Sequence, residues 1–350
     1  MTSARAEAPT RLDSLGMFDA AASLGNQVRN AAEAAHSVEG LPSAEGITSV
    51  VVAGMGGSGI GGDLTAAVCG PVLDIPVIVP KGYEIPHFVG PDTLIFCVSF
   101  SGNTEETVQV AEDAISRGAR VVMITSGGEL GALAQRHGVA QVPIDTSIPM
   151  PRAGIGAVSI PPLVVLERLG LLPGISQQIA AAAEHLDARA AALDVEGSEA
   201  AVLARRIGRT IPVIYGGGLI GEVAALRWKA QFNENAKVAA FANRIPELTH
   251  NEICGWGQHG DVTRQVFSMV LLRHGTEHPQ TRRRFELVEE ICEEVVADVH
   301  TVEAEGDGYL AQMLDLVMVG DFVTLEAAAQ AGIDPGPVPV LDYIKDHLRS

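Results

Sequence analysis

Two short stretches carry the residue types that could hold an anion. The first is VVAGMGGSGIGGD (51–63), in which six of thirteen residues are glycine, directly behind an apolar run that reads as a strand. Such a loop lets backbone N–H groups close around an anion at a helix N-terminus, because no Cβ blocks the approach. Gly56, Gly57 and Ser58 are its candidate anion contacts. The second stretch is VSFSGNTEET (98–107), at the end of another expected strand. Ser99 and Ser101 alternate along one strand face, and Thr104 falls in the first turn of the following helix. Three hydroxyls beside helix N-terminal amides make a receptor for a terminal phosphate. Asn103 and Glu106 have the spacing of a capping box, which accounts for those two residues but leaves Ser99 and Ser101 unexplained.

Gly54, Gly56 and Gly59 also satisfy the GxGxxG spacing of a dinucleotide site. That fold wants an acidic residue at the end of its second strand to hold the ribose hydroxyls. Here VIVPKGYE puts Lys81 at that place and Glu84 beyond a glycine, which disfavours a nicotinamide cofactor.

Together GMGGSGIGGD, SFSGNTEET, PRAGIGA, FNENAK and THNE resemble the bifunctional phosphoglucose/phosphomannose isomerases of the sugar isomerase (SIS) superfamily. The motifs fall in the family's order and cover nearly the whole chain after the N-terminal helix. SFSGNTEE indicates only the phosphosugar fold; FNENAK and THNE indicate the particular family. The resemblance implies two SIS subdomains, a homodimer with shared active sites, a hexose 6-phosphate substrate, and no metal or other cofactor. It makes Glu234 the base that carries a proton between C2 and C1, His250 the ring-opening residue reaching the neighbouring subunit's site, and Lys345 the C-terminal active-site lysine. Arg152 is then the arginine facing the reacting carbons, able to stabilise enediolate oxygens. Where the family carries a threonine in the tail before its lysine, PGPVPVLDYIK has none. The rival reading is a phosphosugar-binding SIS protein without catalysis, which would keep the serine loop but need neither Glu234 nor His250.

The residues themselves bear on these roles. Glu234 lies near the end of the helix that begins after Gly218, where the dipole disfavours a carboxylate and so favours proton uptake. Thr249 and Glu252 have capping-box spacing, which would put His250 in a first helical turn. His274 and His278 are four apart, but RHGTEHPQ breaks any helix that would align them as metal ligands.

These residues need a frame to bring them together. Residues 1–10 read as a loose tail, followed by helical spacing in MFDAAASLGNQVRNAAEAAH and a Gly/Pro/Ser break at 40–46. Apolar strands and helices then alternate, the pattern of a parallel sheet covered on both faces. An alanine-rich helical stretch leads to IPVIYGGGLIGEVAALRWKA, a second strand running into glycines and a helix, which reads as an inexact duplication. The expected organisation is α/β: an N-terminal tail and helix (1–46), a first SIS-type subdomain (47–174), a helical connection (175–209) and a second subdomain with the active-site tail (210–350).

Composition limits the alternatives. The 350 residues are 47% hydrophobic and only 4% aromatic, with 43 acidic against 24 basic side chains and a formal charge of −19. The balance disfavours nucleic-acid binding, which usually shows a basic face. Anionic substrates would gain no long-range steering and must be held locally. The four cysteines form no CxxC pair and read as free core thiols in a reducing compartment. No signal peptide and no segment long and apolar enough to cross a bilayer is expected, which points to a cytoplasmic protein.

Overall fold

The computed structural model describes residues 11–348; the tail expected at 1–10 lies outside them. Its two parallel sheets are each preceded or bridged by helices. In the first, β1 (Ser49–Ala53), β2 (Val77–Ile78), β3 (Thr93–Ser99), β4 (Arg120–Thr125) and β5 (Ala140–Pro143) lie in the order β2-β1-β3-β4-β5. In the second, β6 (Ile211–Gly217), β7 (Phe241–Ile245), β8 (Phe267–Arg273) and β9 (Val299–Glu303) lie in the order β7-β6-β8-β9. All neighbours are parallel, so the chain must cross back over the sheet faces between strands, and every crossover but the one from β2 to β3 does so through helices.

Those helices are α3 (Gly56–Cys69), α4 (Glu105–Ser116) and α5 (Gly128–His137) in the first half, and α9 (Gly218–Gln231), α10 (Gly260–Val266) and α11 (Pro279–Cys292) in the second. Ahead of the first sheet come α1 (Met17–Ala22) and α2 (Leu24–Ser37), and behind it α6 (Ile155–Arg168). The alanine-rich connection forms α7 (Ile175–Leu193) and α8 (Glu199–Ile207), and the chain closes with α12 (Gly308–Ala331) and α13 (Pro339–Leu348).

Strand side chains alternate between two cores. Val50, Val52, Leu94, Phe96 and Val98 face a large core shared with α2, α3, α6, α7, α9 and α12. Val51, Ala53, Ile95 and Cys97 face the opposite side, under α4 and α5. A third cluster joins Val213, Tyr215, Met269 and Leu271 to Phe285 and Val288 of α11. The near-continuous apolar runs of β1 and β3 follow from burial on both faces.

One expectation needs correction. α12 is long and apolar enough to cross a membrane by length and composition, yet 83% of its most apolar window is buried inside the fold. It is the central core helix, packed against α7, α8 and α9. The cysteines also divide: Cys69, Cys97 and Cys292 are buried, but Cys254 is exposed and is not a core thiol.

Candidate active site

β1 and β3 are adjacent, and the chain leaves β1 toward β2 on one side and reaches β3 on the other. Such a switch point leaves a crevice at the C-terminal strand ends. Both candidate anion stretches open there. After β1 the chain turns tightly at Gly54, where a Cβ would lie 2.9 Å from the Val98 carbonyl. Gly56 adopts φ 54°, and α3 starts with Gly56, Gly57 and the buried Ser58. Its first-turn amides have no intrahelical partners and can receive an anion.

After β3, Ser99 is 1% exposed and accepts the Gly102 N–H at 3.1 Å. Its hydroxyl lies 2.8 Å from the Thr104 hydroxyl. Ser99 ends the strand, whereas Ser101 sits exposed in the turn beyond it, so the two do not alternate on one strand face. The capping box expected of Asn103 and Glu106 is absent as well. Thr104, not Asn103, precedes α4, and the Asn103 side chain accepts the Glu129 N–H from the first turn of α5. Gly102, at φ 73°, lets this loop press against the β4–α5 connection, since a Cβ would meet the Gly127 carbonyl at 1.8 Å.

The glycine loop also meets Arg152. A Cβ on Gly57 would lie 3.3 Å from the Pro151 carbonyl and 3.4 Å from the Arg152 Cα. Arg152 belongs to a 3-10 turn, Pro151–Ala153, and is 3% exposed. Its Nε donates to Asn235 Oδ1 at 2.9 Å, and its Nη2 donates to the carbonyls of Pro335 and Gly336. A guanidinium has five donors, so the two N–H groups on Nη1 remain. Nη1 lies 3.8 Å from Glu234 Oε2, too far for a hydrogen bond but within ion-pair range. Burial, reinforced by the nearby Arg227 charge, pulls Arg152 below its usual pKa range, with Glu234 and Asp321 opposing.

Glu234 stands where α9 passes into a π-turn, Phe232–Ala236, a distortion frequently found at functional sites. The expectation that it lies near that helix's end holds. Lys237 terminates the turn in the left-handed region, φ 57°. Its ammonium donates to the Glu234 and Pro335 carbonyls, and burial, then the Arg152 charge, pushes its pKa down. Behind the turn, Asp321 of α12 takes Nε and Nη2 of Arg227 at 3.1 and 2.8 Å and the Gln231 amide at 2.9 Å. Arg227 in turn donates to the Arg152 carbonyl.

Two expected residues stand apart. His250 is exposed at the end of a 3-10 turn, Glu247–His250, and shares no hydrogen bond or ion pair with Arg152 or Glu234. The capping box expected of Thr249 and Glu252 does not form: Thr249 bonds the Pro246 carbonyl, and Glu252 accepts from the Tyr215 hydroxyl and the Asn243 amide. Glu252 thus ties the turns around His250 to β6 and β7. Lys345 lies on α13, none of whose residues is buried, and contacts none of the cluster. Lys81, at the place a dinucleotide fold would give an acid, pairs instead with Asp63 of α3.

Among the described residues, no three His, Cys, Asp or Glu side chains converge as a metal-binding group. His274 and His278 do not face one ion: His274 bonds the Gly217 carbonyl and Thr276, and His278 caps α11.

The chain is 34% identical to the bifunctional phosphoglucose/phosphomannose isomerase of Caldicellulosiruptor bescii, across 95% of this chain and 98% of that one. The Aquifex aeolicus protein of the same name is also 34% identical, over 86% and 90%. The chain belongs to the bifunctional phosphoglucose/phosphomannose isomerase family. Within this family member, residues 47–144 match the SIS domain and residues 196–348 the bacterial phospho-glucose isomerase C-terminal SIS domain. The fold is shared more widely. The C-terminal domain of glucosamine-fructose-6-phosphate aminotransferase from Francisella tularensis superposes with a TM-score of 0.69 at 15% identity, covering 92% of this chain and 98% of that one. At that identity the likeness concerns the fold alone. The expected architecture, two parallel sheets of SIS type flanked by helices, is the one found.

Sequence reading missed what holds Arg152 and Glu234 in place. Asn235 and Lys237 were visible only as polar neighbours of Glu234. Asp321 and Thr324 left a signal, as polar residues within the apolar run LVMVGDFVTL of α12.

Proposed function

We propose that this protein is an aldose–ketose isomerase that interconverts fructose 6-phosphate with glucose 6-phosphate, mannose 6-phosphate or both. The observation that carries this reading is the loose pair of Glu234 and Arg152 Nη1, 3.8 Å apart, beside a glycine-rich helix N-terminus. The family relationship supplies the substrate class, since both relatives named above are phosphoglucose/phosphomannose isomerases.

In this mechanism the α3 amides at Gly56, Gly57 and Ser58, with the hydroxyls of Ser99, Ser101 and Thr104, hold the phosphate. His250 of a second copy protonates the ring oxygen and opens the sugar. Glu234 removes the proton from C2 of the aldose, and the electron pair moves onto the O1 carbonyl to give the cis-enediolate. Both Nη1 donors of Arg152 then face negative oxygen, the arrangement that favours the transition state over the ground state. The O2 hydroxyl proton passes to O1, Glu234 returns its proton to C1, and the electron pair left on O2 closes the C2 carbonyl to give the ketose. Lys345 would join the site from the C-terminal tail. The enzyme is read as a cytoplasmic homodimer acting without a metal.

The deciding experiment is a coupled assay of the purified protein on each hexose 6-phosphate, before and after exhaustive chelation. Turnover of at least one aldose, unchanged by chelator, is expected. Absence of turnover on both, or loss restored by zinc, would sink the reading.

A further inference from the structure

We infer that Asn235 is a positioning residue that keeps Arg152 from closing onto Glu234, so that the carboxylate stays free to accept a proton. The inference rests on the reading of Glu234 as the base. Asn235 is 1% exposed and engaged at both ends. Its Oδ1 accepts Arg152 Nε at 2.9 Å, and its Nδ2 donates to Thr324 Oγ1 at 3.0 Å. Thr324 is fully buried and spends its own proton on the Asp321 carbonyl at 2.9 Å. The position therefore requires one acceptor and one donor on the same short side chain, which an amide supplies and a carboxylate or alkyl group does not.

The consequence falls on the gap between Arg152 and Glu234. Nε is fixed by Asn235 and Nη2 by the Pro335 and Gly336 carbonyls, so the guanidinium is held on two edges and presents only Nη1 to Glu234. Without the Asn235 oxygen, Nε is a buried charged donor lacking its partner, a costly state that swinging toward a carboxylate relieves. Glu234 is the carboxylate within reach. Closure would make a hydrogen-bonded ion pair, weaken the carboxylate as a proton acceptor, and occupy the donors meant for substrate oxygens. The other charges facing this place are Lys237 on the same turn, Arg227 of α9, Asp321 of α12 and Asp334 of the following turn.

The test uses the full chain, wild type against Asn235→Ala and Asn235→Asp. The Glu234 carboxyl is followed by ¹³C NMR through a pH titration, its signal assigned by its loss in Glu234→Gln. For Asn235→Ala the titration midpoint should fall by about one pH unit, as expected for a carboxylate gaining a close guanidinium. Asn235→Asp restores an acceptor for Nε and adds a negative neighbour, so its midpoint should lie at or above that of wild type. With substrate, Asn235→Ala should lose at least about tenfold in kcat with little change in KM, and the acid limb of its pH profile should move to lower pH.

A folded Asn235→Ala protein with an unmoved midpoint would overturn the inference, because a merely structural role lowers thermal stability without retuning Glu234. Should Asn235→Ala fail to fold, Asn235→Asp decides alone: a midpoint below wild type would overturn the inference. The titration does not depend on turnover. A shifted midpoint in a protein that isomerises no hexose phosphate would uphold the placement of Asn235 and remove the functional reading instead.

Discussion

Arg152 is fastened by part of its guanidinium only. Three of its donors fasten chain segments together, and the two on Nη1 are those the proposed mechanism uses. Glu234, by contrast, keeps 30% of its side chain exposed, and the proposed mechanism makes it the proton carrier. Glu234→Gln is nearly isosteric but cannot take the proton. It should lower turnover by about 10²–10⁴-fold, the usual worth of a positioned general base, while leaving KM nearly unchanged. Solvent deuterium should no longer enter C2 of the sugar; full exchange in this variant would show that another group is the base. The phosphate end responds differently. Ser99→Ala combined with Thr104→Ala should act mainly on KM, since a hydrogen bond to a charged group is worth about 1.5–3 kcal/mol. Wild-type KM in the double variant would place the phosphate elsewhere.

At the level of elements, the strands that lead into the candidate site were legible because burial on both faces makes them near-continuous apolar runs, as in SVVVA and TLIFCVS. β7 was not, since FANRI is an edge strand with only Ile245 buried. The two capping boxes misled for a common reason. Local spacing allowed a cap, but tertiary partners took the side chains first: Glu129 N–H for Asn103, Tyr215 and Asn243 for Glu252. The partners of Arg152 lie 83 and 183 or more positions away and have no local signature. Close helix packing gives a further check. Gly320 of α12 leaves room for Trp228 of α9, whose indole Nε1 donates to the Leu316 carbonyl at 2.7 Å. A Cβ at 320 would fall 2.2 Å from that nitrogen. Gly320→Ala should cost about 1–3 kcal/mol by overpacking, read as a lower denaturant midpoint. An unchanged midpoint would mean that the α9–α12 contact is looser than described.

For the molecule as a whole, the four candidate site residues do not all meet within one chain. Arg152 and Glu234 face each other within it, while His250 and Lys345 point to solvent from a 3-10 turn and from a helix with no buried residue. If His250 serves a second copy, mixing Glu234→Gln protein with His250→Ala protein should regenerate some sites that have both native residues. Recovered activity after demonstrated subunit exchange is the expected result, and none would refute the shared site. A different consequence follows from the fastening of Arg152 to residues 335 and 336. The acceptors for Nη2 lie in the turn after α12, so a ribosome must add 183 residues beyond Arg152 before this guanidinium can begin to be seated. Chains released early, before that turn is translated, would keep the glycine loop, the serines and Glu234 yet leave a buried cation half satisfied. On the proposed mechanism, competence therefore waits for residues 335 and 336, and products terminated before them should be inert even where they fold.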